Sequence, residues 1–504
     1  MSGQPLREAE RNALLRRVDW RFLLRSREAP RALDLGSGRG SRALRLAFEP
    51  AAEAPGGADL VVLGRPSRGK LRAARDALRP AGELVCALRT PLPGGAARAR
   101  RRLQRAGFED VRLYWPGPVA RRAPQFWLSL DSPAAAADLL AQRPARSAAG
   151  SALRGLWRRA ARGGMLAPLY AIARAPLGPG EEAPAPDEID SLLPGSASWL
   201  LLTGGRRSIN KVVGLPFTAG LDPLAAVKIA RVPEAEPGLE REAEALRTLE
   251  LERPEVAGIP RLITPGRRSG RLALAETHVR GRPLLELLTA ASFEEHAARI
   301  TGWLIELARD APVRRRAEWW PRLVTEPVEE FERGFGAVLE PGSMERVRSR
   351  LEDLGDLPQV CEHRDCAPWN VLLQGDDTPA LLDWESAEVR GLPGLDLAYF
   401  LANSAFVLDG ALESGRTRES YARLLDPSTP GGRVAAAREA EYCAGAGIDR
   451  EALARLRLLC WIVHSRSDYR HLEMEAGGVP AAEDLRRSVF AGLVQEELAH
   501  SPPR

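Results

Sequence analysis

Lysine is almost missing. Of 72 basic residues in this 504-residue chain, only Lys70, Lys211 and Lys228 are lysines. Asparagine and histidine are also scarce, with four and six copies. Arginine therefore serves wherever any cation will do, and a remaining lysine marks a place for a compact point charge instead of a planar fork. No apolar run reaches the ~18 residues that a membrane span needs. The opening MSGQPLREAERN is polar and charged, unlike a secretory signal. The five cysteines, Cys86, Cys361, Cys366, Cys443 and Cys460, form no CxxC pair and no zinc-spaced cluster with histidine. Free thiols and a cytoplasmic protein are the expectation.

What is present is ordinary in amount but uneven in place. An apolar content of 44% with 28% charged residues fits a soluble globular protein of roughly two to four domains. The net charge of +5 hides a split. Residues 1–175 hold 33 basic and 14 acidic residues, whereas 176–504 hold 39 and 53. Such a split suits two domains with different partners, or two that attract each other; chance in an arginine-rich chain is the bland alternative. The sign changes at IARAPLGPGEEAPAPDEIDSLLPGS, residues 172–196, where apolar periodicity is lost and Pro, Gly and acids dominate. A first domain over 1–175 and a linker over 176–196 follow.

Before the linker, strand-like and helix-like text alternates: RALDLGSGRG, SRALRLAFE, ADLVVLG, KLRAARDALRP, GELVCALR, ARARRRLQRAGF, EDVRLYW. The alternation predicts a layered α/β domain of Rossmann-like type. After the linker, residues 197–282 read as strands (SWLLLTGG, INKVVGLPF, LAAVKIAR, RLALAETHV) interrupted by one helix, GLEREAEALRTLELE. From 283 to 504 the pattern is helical, apart from a short hairpin predicted in NVLLQGDDTPALLDW. A small β-rich lobe before a large helical one predicts an α+β bilobal domain.

The sequence offers one candidate for each task in phosphoryl transfer from ATP. Asp365 is a candidate base for an attacking hydroxyl. Asn370, five residues on across a turn shaped by Pro368, supplies a hard oxygen for magnesium, and Asp383 supplies another. Lys228, in the apolar strand AAVKIAR, needs an acidic partner or an anionic ligand. Glu242, or else Glu244, is expected to hold it. Glu242 is preferred because Leu239, Leu246 and Leu249 turn its face inward.

HRDCAPWN followed by LLDWE resembles the catalytic loop and metal motif of the aminoglycoside phosphotransferase / choline kinase superfamily, whose fold is protein-kinase-like. The family pattern falls on His363, Asp365, Asn370 and Asp383. AAVKIA resembles the lysine strand and LEREAEALRTL the glutamate helix. ETHVRGRPL resembles the hinge, where Glu276 to His278 would meet adenine. LPGLDLAYFL resembles the segment whose aspartate, here Asp396, braces the catalytic loop. The resemblance covers about 197–504 and implies ATP and magnesium. It gives His363 mainly a bracing role, and Glu385 either a second metal contact or a turn cap. The glycine loop is poor: LLTGGRRSINKVV has Gly204 and Gly205 without GxGxxG. DWE stands where protein kinases carry DFG, and APE is absent, which favours a small-molecule or sugar hydroxyl as acceptor.

In the first domain, LDLGSGRG resembles the opening motif of class I S-adenosylmethionine methyltransferases, at Asp34, Gly36, Gly38 and Gly40. Too few residues separate Gly40 from ADLVVL for the strand that carries the ribose-binding acid. A degenerate, structural, methyltransferase-like domain is expected, with S-adenosylmethionine binding as the alternative. No pattern interleaves basic and aromatic residues for nucleic acid. ALRGLWRRAARGGMLAPLY, 152–170, reads as a helix packed on its own domain or, alternatively, lying on a membrane surface. A pseudokinase-like scaffold and a bifunctional kinase–methyltransferase are the competing functions.

Overall fold

The computed structural model describes residues 6–500, except 26–27, 37–39, 89–93, 118–122, 133–158, 160–168, 181, 183–185, 195–197, 206 and 219–221. The chain forms two compact units: Met1–Leu239 with Leu262–His278, and Glu240–Arg261 with Val279–Arg504.

The first unit is built on one eleven-stranded sheet. Its strands are β1 (Ala32–Asp34), β2 (Ala58–Leu63), β3 (Leu78–Leu88), β4 (Glu109–Gly117), β5 (Phe126–Ser129), β6 (Leu169–Arg174), β7 (Ser198–Leu202), β8 (Val212–Phe217), β9 (Ala226–Ile229), β10 (Leu262–Arg268) and β11 (Arg271–Glu276). The spatial order is β1-β2-β3-β6-β4-β5-β7-β8-β9-β11-β10. β1, β2 and β3 pair in parallel. Parallel neighbours need crossovers, which the helices Ser41–Ala47 and Arg68–Ala77 provide. The latter starts where the Ser67 side chain accepts the Lys70 N–H, and it buries Leu71 and Ala74, three residues apart on one face.

Both sheet faces are covered. Leu84, Cys86 and Leu88 of β3 join one core with Leu200 and Leu202 of β7. Val85, Trp199 and Leu201 join the other, with Trp20 and Phe22 from the N-terminal segment and Val227 and Ile229 from β9. The period of two places successive side chains on opposite faces.

The sheet runs on across the segment expected to be a linker. β5 pairs with β7 through Phe126–Leu202, Trp127–Leu201 and Leu128–Leu200. Two short strands, apolar on both faces, find partners only in each other and their neighbours. Part of 176–196 is itself anchored: Asp187 and Ile189 are 1% exposed, and Arg268 reaches Asp187 at 3.3 Å and Asp190 at 2.9 Å. The two compact units divide at other positions. Leu169 and Tyr170, read above as the end of a helix, open β6; residues 152–168 lie outside the described residues apart from Arg159.

Among the described residues, the sheet continues beyond β1 as a single bridge between Ala32 and Pro50. Of the glycine-rich turn, Gly36 and Gly40 are described and Gly38 is not. The Asp34 side chain accepts the Gly36 N–H at 3.1 Å.

The second unit is mostly helical, with long helices at Phe293–Ala308, Leu395–Leu408, Arg450–Ala476 and Val489–Ala499. Trp319, Trp384 and Trp461 are fully buried in it. The predicted hairpin is present as Val371–Leu373 paired with Pro379–Leu381. Gly258, at φ +83°, lies against the Pro379 carbonyl where a Cβ would collide, and its own carbonyl accepts the Leu381 N–H at 3.1 Å. All five cysteines are free. No helix among the described residues is long and apolar enough to cross a membrane.

Candidate active site

In the second unit, the loop entering the hairpin is held by backbone and side-chain bonds of its own. Asp396, in the first turn of Leu395–Leu408, accepts the N–H groups of His363 at 2.7 Å and Arg364 at 2.8 Å. Arg364 sits at φ +60°, a costly conformation for a side chain of its size. The Asp396 bonds hold it there, and its Nε donates to Glu362 at 2.7 Å. Burial, and next Glu362, push the Asp396 carboxyl up to about 7.

His363 is fully buried. Its Nδ1 accepts the Asp365 N–H at 3.2 Å, and Nε2 faces the Leu382 carbonyl at 2.9 Å. That pattern requires a neutral ring protonated at Nε2. With both nitrogens engaged and the ring edge-on to Trp384, His363 acts as a brace between the loop and the hairpin.

Asp365 is half-buried. The Asn370 amide donates to its carboxylate at 2.7 Å and to its carbonyl at 3.0 Å. Tyr399 favours the ionised form of the same carboxylate. Burial is the main force on this group, and the charges of Asp383 and Glu385 act in the same direction; the Asn370 hydrogen bond and Tyr399 oppose them, leaving the carboxyl raised to about 7. Sequence reading missed Tyr399. The available signal was its position three residues after Asp396, on the same helix face. In the magnesium-free Tyr399→Phe variant the Asp365 titration, followed by carbon-13 NMR, should move up, because the hydroxyl favours the ionised form. An unmoved titration would show that the hydroxyl does not act on the carboxylate.

Asp383 follows the hairpin at φ +68° and begins the short turn Trp384–Ser386. The turn is fixed by Glu242, whose buried carboxylate accepts the Trp384 N–H at 2.9 Å. Glu244, the other candidate, is exposed. Glu385 is half-buried, and its carbonyl accepts from Arg241 at 3.0 Å. Among the described residues no three His, Cys, Asp or Glu side chains form a ready metal cage. An amide beside mutually repelling carboxylates does fit magnesium, which keeps several waters and takes further oxygens from phosphates.

In the first unit, Lys228 of β9 is nearly buried and its Nζ lies 2.8 Å from Glu276 Oε1. In the β9–β11 register Lys228 faces Leu274 and Ala226 faces Glu276, so the ion pair is a diagonal on one face. Glu276, expected to offer backbone groups at the hinge, thus brings a carboxylate to the lysine. His278 follows, half-buried. Gly204 and Gly205 lie after β7, with Gly205 at φ +101°.

Residues 221–453 match the sequence model of the phosphotransferase enzyme family. Comparison with curated proteins finds no match. Among solved structures, the aminoglycoside phosphotransferase APH(3'')-Id of Streptomyces rimosus aligns at 17% identity and TM-score 0.35, over 53% of this chain and 94% of its own. An aminoglycoside-3'-phosphotransferase of type VIII aligns at 22% identity and TM-score 0.34, over 54% and 96%. The Plasmodium vivax ethanolamine kinase aligns at 12% identity and TM-score 0.37, over 62% and 84%. The C-terminal part of this chain carries a domain of the phosphotransferase enzyme family.

Proposed function

We propose that the protein moves the γ-phosphoryl group of ATP, with magnesium, to a hydroxyl of a small molecule or sugar. The observation that carries this reading is Asp365, a half-buried carboxyl held by the Asn370 amide at 2.7 Å and raised by burial to about 7. A carboxyl with that value is suited to accept a proton at neutral pH. In the proposed step, Asp365 takes the acceptor's hydroxyl proton as the new oxygen–phosphorus bond forms. The bond from the γ-phosphorus to the bridging oxygen breaks, and ADP leaves. Asn370 and Asp383 would hold magnesium, with Glu385 as a further ligand; the ion's chemistry is to neutralise charge on the phosphate oxygens. Lys228 would meet the α- and β-phosphates, and the Glu276–His278 segment the adenine.

For the first domain we propose a structural role, a degenerate methyltransferase-like layer. Gly36 and Gly40 of its glycine-rich turn follow β1, and among the described residues one bridge lies beyond that strand. A dinucleotide-type crevice needs strands on both sides of such a turn.

The test is ADP release with a panel of hydroxyl acceptors, beginning with aminoglycosides, ethanolamine and free sugars. Acceptor-dependent ADP and a new phosphate ester by phosphorus-31 NMR are expected. Tight MgATP binding without transfer to any acceptor would favour the scaffold.

A further inference from the structure

The first unit contains a buried cation that the reaction above does not use. Arg231, two residues after β9, and Asp19, near the N-terminus, are both fully buried. Arg231 Nε donates to Asp19 at 3.1 and 3.3 Å. Its other two nitrogens collect backbone carbonyls from one loop. Nη1 reaches Asn210 at 2.9 Å and Arg207 at 3.4 Å; Nη2 reaches Thr203 at 3.1 Å and Gly204 at 3.3 Å. The N-terminal helix Glu8–Arg16 holds the same loop. The Gly205 carbonyl accepts from Asn12 and Arg16, each at 3.4 Å, and the Ser208 N–H donates to Glu8.

Peptide planarity gives this a consequence. In a trans peptide the carbonyl of one residue and the N–H of the next point in opposite directions. With the Thr203 and Gly204 carbonyls turned onto Arg231, the N–H groups of Gly204 and Gly205 are turned away from it. Successive N–H groups presented on one side of a loop favour an anion.

We propose that Asp19 and Arg231 are positioning residues for nucleotide binding. Asp19 orients the guanidinium, the guanidinium gathers the loop carbonyls, and the Gly204 and Gly205 N–H groups are thereby presented to the nucleotide phosphates. This rests on the ATP-dependent reading above. It explains how a loop without the GxGxxG pattern could serve phosphate: its shape is imposed by an internal cation and the N-terminal helix instead of by glycines alone. It also makes the N-terminal segment part of the nucleotide machinery.

The experiment compares the full-length protein with Asp19→Asn and, because a buried substitution can prevent folding, with Arg16→Ala at the half-buried helix contact. Readouts are MgATP affinity by calorimetry, hydrogen exchange of peptides covering residues 203–211, and kcat at saturating ATP. We expect affinity to weaken about tenfold and exchange to rise in that loop, with exchange around residues 363–370 and kcat unchanged. Faster loop exchange with unchanged affinity would overturn the proposal and leave the ATP reading standing. Exchange rising throughout the protein would mark a merely structural role and overturn it too. An intact parent protein that binds no MgATP would remove the ATP reading and this proposal together.

Discussion

Asp365→Asn should abolish phosphoryl transfer while leaving MgATP affinity within about twofold. Loss of a general base costs on the order of 10²–10⁴ in rate. The substitution keeps the shape of the side chain, and its amide oxygen still accepts from Asn370. The nucleotide contacts proposed above do not include it. A second effect has the opposite sign. A carboxyl raised by burial contributes stability that is complete below its ordinary value near 4 and is lost as pH rises through about 7. In magnesium-free buffer at pH 8 the ionised Asp365 therefore weakens the fold, and the neutral amide should melt higher, by roughly 2–4 °C. An inactive variant more stable than its parent is a signature of a strained functional group. A variant that retains turnover would exclude Asp365 as the base.

The second large effect is expected at Asp383. Asp383→Ala should remove the magnesium dependence of nucleotide binding and weaken MgATP affinity by at least about a hundredfold. Alanine at φ +68° adds a backbone cost of roughly 1–2 kcal/mol. Asp383→Asn separates the two contributions, because asparagine tolerates that conformation while losing the charge. Both variants losing magnesium-dependent affinity assigns the effect to the carboxylate. Loss in the alanine variant alone would assign it to the turn, which Glu242 fixes through the Trp384 N–H.

Much of this site was legible because its chemistry is local. The candidate catalytic loop and its hairpin lie within about twenty residues, and the spacing of His363, Asp365, Asn370 and Asp383 is visible without knowing any long-range pairing. The buried side of the glutamate helix was legible too, since leucines at helical spacing placed Glu242 inward and left Glu244 outside. The partners were harder. Lys228 meets Glu276 on the neighbouring strand, a diagonal that depends on register and not on any helix pattern. Tyr399 reads as one more apolar residue of a buried helix.

The sheet was least legible where its strands are short or carry turn residues. β10 contains Pro265 and Gly266, which punctuate a sequence as a turn; an edge position tolerates them. β6 follows an arginine-rich stretch with helical spacing, and only its pairing with β3 and β4, more than fifty residues earlier, makes it a strand. The Pro-rich segment looked unanchored because the residue that holds Asp187 and Asp190 is Arg268, about eighty positions away. Long-range burial of arginine leaves no local trace in a chain that uses arginine everywhere.

The most direct test of the central claim is calorimetric titration of ATP into the purified protein, with and without magnesium, beside Asp383→Asn. The account predicts saturable binding that requires magnesium and is lost in the variant. No heat from the intact, folded protein under either condition would contradict it.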